Sequence, residues 1–171
     1  MERIWAPWRM DYVGVPPQPG CFICRAAAGG AEASRHLVVA RRASALVMLN
    51  RYPYNAGHLM VAPFRHVDGV EALESDEILD CWRLASDAKR ALGLVGAPDG
   101  YNLGINQGKA GGAGLADHLH LHVVPRWEGD HNFMTVLADL RVVPQALEAT
   151  RLRLREAFAG LGYPDPDGDR P

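Results

Sequence analysis

The chain has 171 residues, enough for one domain that buries a core without disulfides, and 48% of them are hydrophobic, which excludes a disordered chain. Lys and Arg total 18 against 20 Asp and Glu, so the net charge of -2 offers no field for a nucleic-acid polymer. No apolar run approaches a membrane span and the first residues lack a signal-peptide core, so the expectation is a cytoplasmic protein without membrane partners. The 3 cysteines, an odd number, fit a reducing compartment better than a disulfide framework.

Residues 1–20 are rich in aromatics and proline (Trp5, Trp8, Tyr12, Pro16, Pro17, Pro19). Proline lacks a backbone donor, so this stretch is expected to be an extended arm laid on a surface, with its tryptophans covering something such as a partner subunit. The domain proper is expected over 21–161, opening at Cys21 and Cys24. Residues 26–30 read as a loop or a frayed helix. Two strands follow, 36–41 and 45–50, joined by a hairpin-sized link. A turn at 52–57 leads to a third strand, 58–63, which Pro63 closes.

From Ser75 the period changes. Ile78, Leu79, Trp82, Leu84, Ala85, Ala88 and Leu92 recur at helical spacing, with Ser75 as the expected cap and Gly93 to Pro98 as the stop. Residues 101–107 form a fourth strand, a glycine-rich loop covers 108–114, and 118–125 form a fifth strand. A C-terminal helix is expected over 143–158, started by Pro144, with Leu147, Leu154 and Phe158 on one face. Residues from Tyr163 on read as a loose tail, with 162–171 left outside the domain. Strands, helix, strands and helix in that order predict an α+β fold, an antiparallel sheet with helices packed on it.

His118, His120 and His122 alternate with Leu119, Leu121 and Val123. On a strand the histidines share one face and the apolar residues anchor the other. Three imidazoles in a row suit either metal binding or nucleophilic attack on phosphorus, in which neighbours fix the tautomer of the attacking ring. The second ring nitrogen of the attacking imidazole then needs a backbone carbonyl or a neighbouring histidine. Cys21 and Cys24 form a Cys-x-x-Cys, which alone fits two buried cysteines, a redox pair or half a zinc site. The βαβ pattern of a thioredoxin-like redox pair is absent. Gly108 to Gly114 is a weak signal alone, but its place before the histidine strand suits a phosphate cradle.

The run His-Leu-His-Leu-His-Val-Val-Pro from His118 to Pro125 resembles the signature of the histidine triad family. Asn50, the stretch Gly57-His58-Leu59-Met60-Val61-Ala62-Pro63 and the run Asn106-Gln107-Gly108 resemble its upstream segments at matching spacing, over about residues 21–127. The Trp5-Ala6-Pro7-Trp8-Arg9 arm resembles a subgroup that includes bacterial diadenosine tetraphosphate phosphorylases and hydrolases. The resemblance implies a five-stranded antiparallel sheet with one long and one C-terminal helix, paired with a second copy in a homodimer. It implies that His120 is the nucleophile, that His122 contacts the α-phosphate and the scissile oxygen, and that His58 stands beside them. It places nucleotide contacts on Asn50, Asn106, Gln107, Gly112, Ala113, Gly114, Leu115 and His122. Where many members carry a hydroxyl or amide side chain, this chain has Gly114. Zinc-bearing members hold the metal with positions that match Cys21, Cys24, His66 and His118. Two thiolates and two imidazoles fill a tetrahedral site, which implies structural Zn2+.

The expected activity is cleavage of dinucleoside polyphosphates or related adenylylated substrates through a nucleotidyl-histidine intermediate. A nucleoside phosphoramidase and a non-catalytic nucleotide-binding module are the competing readings. Cys81 reads as a small core residue, His36 and His131 as surface histidines, Trp127 as a residue near the dimer contact, and Asp117 as either a partner of the triad or a solvated acid.

Overall fold

A computed structural model describes residues 20–130 and 146–167. The expected arm up to residue 19, and Val143, Pro144 and His131, lie outside them. In chain order the elements are α1 (Phe22–Ala28), α2 (Ala31–Arg35), β1 (Val38–Arg41), β2 (Ala45–Leu49), β3 (Leu59–Pro63), α3 (Ser75–Gly96), β4 (Gly100–Ile105), β5 (Leu121–Arg126) and α4 (Leu147–Gly160). The 5 strands form one sheet in the order β1-β2-β3-β5-β4, and every neighbouring pair is antiparallel. The α+β expectation is met in this sheet. Among the described residues no helix is long and apolar enough to cross a membrane.

Both faces of the central strands are covered, which is why β2 and β3 are buried along their whole length instead of alternating. Val47, Leu49, Leu59, Val61, Leu121 and Val123 meet Leu84, Ala85 and Ala88 of α3 and Leu154 and Phe158 of α4. The small alanines let the helix axis lie close to the sheet. On the other face Leu46, Met48, Met60 and Ala62 meet Ile23, Ala26 and Ala27 of α1 and Ala33 of α2. Each large side chain buried there contributes roughly 1.5–3 kcal/mol.

Several boundaries differ from the sequence reading. Residues 26–30, read as a loop or a frayed helix, are the end of α1, which starts directly after Cys21, and the two-glycine link to α2. The first strand begins at Val38, because His36 terminates α2. The third begins at Leu59 and the fifth at Leu121, so His58, His118 and His120 sit just ahead of their ladders. Glu74, not Ser75, caps α3; its backbone N–H donates to Glu77 Oε2 at 2.9 Å, and Glu77 pairs with Arg65 at 2.6 Å, fastening the helix start to the end of β3. The helix runs past Gly93 to Gly96 and ends on Ala97 in the left-handed region. Ile78, Leu79 and Trp82 do not join the core stripe. They are 41%, 46% and 53% exposed, while Cys81, Leu84, Ala85, Ala88 and Leu92 face the sheet.

The tail is also not loose where it is described. Tyr163 packs edge-on against Phe158 and its hydroxyl donates to Asp87 at 2.6 Å. Arg155 donates to Asp167 at 2.6 Å, and Arg41 Nε donates to the Pro166 carbonyl at 2.9 Å. His36 is not a surface residue either: its side chain is 12% exposed beside Glu32, and burial lowers its pKa.

Candidate active site and metal centre

The register of the sheet brings the histidines together. Met60 of β3 and Gly104 of β4 flank His122 on either side of β5. The turn between β2 and β3 drops His58 onto the same spot, with its Nε2 2.9 Å from His122 Nδ1. His120 stands edge-on to His122 with ring centroids 4.9 Å apart. His58, His118, His120 and His122 are all buried, so the three-histidine row is no open face of a half-buried strand.

Each ring nitrogen can be assigned from its partner. The Tyr54 backbone N–H donates to His58 Nδ1 at 3.0 Å. That nitrogen therefore carries a lone pair, and His58 is protonated on Nε2. His58 Nε2–H then donates to His122 Nδ1, which puts the His122 proton on Nε2. That Nε2 is buried and has no hydrogen-bond partner among the described residues. Burial, and then the neighbouring His120, hold the His122 pKa down at about 4, so the ring is neutral near pH 7. His120 Nδ1–H donates to the His118 carbonyl at 2.9 Å, which leaves the lone pair on its Nε2. The holder of the second ring nitrogen, left open by the sequence, is this carbonyl.

His118 is turned the other way. Its Nε2–H donates to the Pro63 carbonyl at 3.0 Å, so its Nδ1 lone pair faces Cys21 Sγ at 3.2 Å and Cys24 Sγ at 3.5 Å. His66 Nδ1 lies 3.2 Å from Cys24 Sγ. The ligand atoms of Cys21, Cys24, His66 and His118 all fall within 4.8 Å of one another. A tetrahedral metal with ordinary zinc–sulfur and zinc–nitrogen bonds needs sulfur–nitrogen edges of about 3.5 Å. The donor set and its spacing fit that metal. Burial and the Cys21 sulfur push the Cys24 thiol up to about 11, so a metal must displace its proton. Asp117 lies beside this group, its Oδ2 3.9 Å from His66 Nε2.

Of the other expected nucleotide residues, Asn50 and Asn106 reach His58 and Tyr54. Asn106 Nδ2 donates to the Tyr54 hydroxyl at 3.5 Å, and Gln107 Nε2 donates to Glu71 Oε2 at 3.4 Å. Asn50 is tied to the histidines: its Oδ1 accepts the Tyr52 N–H at 2.9 Å and its Nδ2 lies 3.3 Å from His58 Nδ1. In the glycine loop the Gly112 N–H donates to the Lys109 carbonyl at 3.0 Å and the Ala113 N–H to the Gly108 carbonyl at 3.2 Å. These two amides close the loop in this structure instead of pointing at an anion. Gly114 adds no side chain, and Leu115 packs against the α1 side of the sheet. Trp127 Nε1–H donates to the Gly96 carbonyl at 3.1 Å at the end of α3. The sequence reading passed over Tyr54 and the Pro63 carbonyl; only the two tyrosines of one turn, Tyr52 and Tyr54, marked the first.

The HIT domain family matches residues 32–129. This chain belongs to the HIT family. It is 39% identical over 171 residues to the AP-4-A phosphorylase of Mycobacterium tuberculosis, covering 93% of this chain and 85% of that one. A shorter match, 31% over 83 residues, covers 48% of this chain and 55% of the bis(5'-adenosyl)-triphosphatase of Dictyostelium discoideum. The fold is similar to the crystal structure of a Zn-bound histidine triad family protein from Mycobacterium smegmatis, with TM-score 0.66, 26% identity, and 84% and 96% of the two chains covered.

Proposed function

We propose that this chain cleaves dinucleoside polyphosphates by passing a nucleotidyl group through His120. His120 Nε2 attacks the α-phosphorus; a P–N bond forms as the P–O bond to the leaving polyphosphate breaks. His122 Nε2–H donates to the oxygen that carries the leaving charge. His58 holds His122 in that tautomer through its own Nε2–H. Phosphate or water then attacks phosphorus and breaks the P–N bond, giving a nucleoside diphosphate or monophosphate. The similarity to an AP-4-A phosphorylase over most of the chain supports this substrate class.

One observation carries the reading: a buried His122 Nε2–H without a partner among the described residues, beside an imidazole whose Nε2 lone pair is available. An unsatisfied buried donor costs roughly 1–3 kcal/mol, which a bound phosphate oxygen removes. The test is product analysis with a dinucleoside tetraphosphate and with a nucleoside phosphoramidate, each with and without phosphate. Cleavage of the dinucleotide and a nucleotidyl adduct on His120 are expected. Cleavage of the phosphoramidate alone makes the chain a phosphoramidase. Binding with no turnover makes it a nucleotide-binding module.

The same reading gives Cys21, Cys24, His66 and His118 one structural zinc. The bond requirements above and the Zn-bound relative support it. When bound, zinc supplies a crosslink between the start of α1 and the approach to β5, and four protein ligands leave it no position for substrate. Free cysteines facing histidines suit the cytoplasm. A homodimer completes the reading. Ile78, Leu79 and Trp82 of α3 and Leu103 and Ile105 of the edge strand β4 are exposed, and Ile78, Trp82 and Ile105 line an apolar cavity of about 180 Å3 beside His120. A second copy paired along β4 covers that surface and the open strand edge together.

A further inference from the structure

Tyr54 touches the His58–His122 pair in two ways that the cleavage step above does not use. Its backbone N–H sets the His58 tautomer. Its ring lies over His58, with centroids 4.7 Å apart and planes 29° from parallel, and reaches His122 at 5.5 Å. The ring is 44% exposed while His58 beneath it is wholly buried. Tyr54 therefore stands between solvent and the 2.9 Å hydrogen bond that joins the two imidazoles.

The ring is held in place from two sides. On one side the turn is clamped: the His58 N–H donates to the Asn55 carbonyl at 3.1 Å, and Asn55 Nδ2 donates to the Pro125 carbonyl at 3.1 Å and to Asp130 Oδ2 at 2.8 Å. On the other, Asn106 reaches the Tyr54 hydroxyl from the strand end after β4. On the β4 flank His122 meets Gly104, which has no side chain to shield it. Among the described residues, the Tyr54 ring of the turn lies against both members of the pair.

We propose that Tyr54 is a positioning residue: its ring seals the His58–His122 hydrogen bond from water, so that His122 keeps its proton on Nε2 and aims it at the substrate. Water that reached His122 Nδ1 would compete with His58 and free the ring to turn. This inference rests on the dinucleoside polyphosphate reading for its kinetic arm alone.

The test uses the full-length protein and two variants, Tyr54→Ala and Tyr54→Phe. Histidine-15N NMR reads exchange of the His58 and His122 ring protons with water, and needs no substrate. Exchange is expected to quicken by about tenfold or more in Tyr54→Ala and to return toward the wild-type rate in Tyr54→Phe, which keeps the ring. With a dinucleoside tetraphosphate, kcat falls by about tenfold to a hundredfold in Tyr54→Ala while KM changes by less than about threefold, and Tyr54→Phe recovers most of the loss. Thermal melts check that both variants fold. Unchanged exchange in Tyr54→Ala overturns the proposal, as does a rise in KM at constant kcat, which makes the ring a substrate contact. Failure of Tyr54→Phe to recover activity assigns the effect to the hydroxyl and also overturns it. If the wild-type protein cleaves no dinucleotide, the functional reading fails and the exchange rates still decide Tyr54.

Discussion

Gly57 immediately precedes His58, and its geometry makes a methyl group there expensive in two separable ways. Its φ is +75°, in the left-handed region, where an L side chain costs about 1–2 kcal/mol. An added Cβ meets Leu92 Cδ2 at 2.9 Å and Pro125 Cγ at 3.5 Å. Leu92 is 4% exposed and packed in the core between α3 and the sheet, so it yields only by shifting its neighbours. Overpacking of that kind costs about 1–3 kcal/mol. Gly57→Ala is expected to lose about 2–5 kcal/mol in denaturant unfolding, and kcat by up to about a hundredfold, because His58 moves with the turn that carries it. Gly129→Ala is the control. Gly129 has φ +77° with nothing within 4 Å of the added carbon, so only the conformational part, about 1–2 kcal/mol, applies. Equal losses in the two variants would refute the packing argument. A Gly57→Ala protein of wild-type stability and activity would refute the whole account.

His120→Ala should abolish turnover and the covalent adduct while nucleotide binding persists, read by rapid quench and calorimetry. Chelation, or Cys24→Ser, should lower the melting temperature before activity fades; elemental analysis that finds no zinc in protein purified without chelator removes the basis for this. Because the His122 pKa lies at about 4 in the fold against 6.5 unfolded, the unfolded chain binds more protons between those values. Stability should therefore be full above about pH 6.5 and fall by about 2–3 kcal/mol toward pH 4, and His122→Asn should flatten that slope in denaturant titrations. If the proposed dimer forms, Trp82→Glu should leave a monomer by light scattering, and a wild-type monomer at micromolar concentration sinks the proposal.

The first three strands were legible because they are apolar runs between turn residues, and the triad because period two puts His118, His120 and His122 on alternate positions. The metal set came from resemblance, since nothing in the spacing of Cys24 and His66 shows that a turn and a strand bring them within reach. Other features had no local signal. Ile78, Leu79 and Trp82 satisfy a helical period as well as Leu84 and Ala88 do; only the tertiary fold decides which side of α3 meets the sheet. Glu74 caps through a carboxylate three residues on, a pattern less visible than a serine beside two acids. The tail around Pro166 carries no apolar period, yet Arg41 and Arg155 bind it through a carbonyl and carboxylates.

On the reading proposed above four histidines carry four tasks, and three backbone groups and one side chain separate them. Histidine has two nitrogens, and whichever one meets a fixed partner determines what the other offers. A carbonyl on Nε2 of His118 leaves Nδ1 for a metal; a carbonyl on Nδ1 of His120 leaves an Nε2 lone pair for phosphorus. A donor on Nδ1 of His58 and of His122 leaves each with an Nε2–H. The carbonyl that holds His120 belongs to His118, whose ring belongs to the metal cluster. On the proposed reading, a metal that fixed the His118 ring would steady the peptide that orients His120 two residues on, without touching substrate. Loss of metal then acts on catalysis through the precision of the His120 tautomer and position, and its effect on kcat should follow, not precede, the loosening of the Cys21 and Cys24 segment.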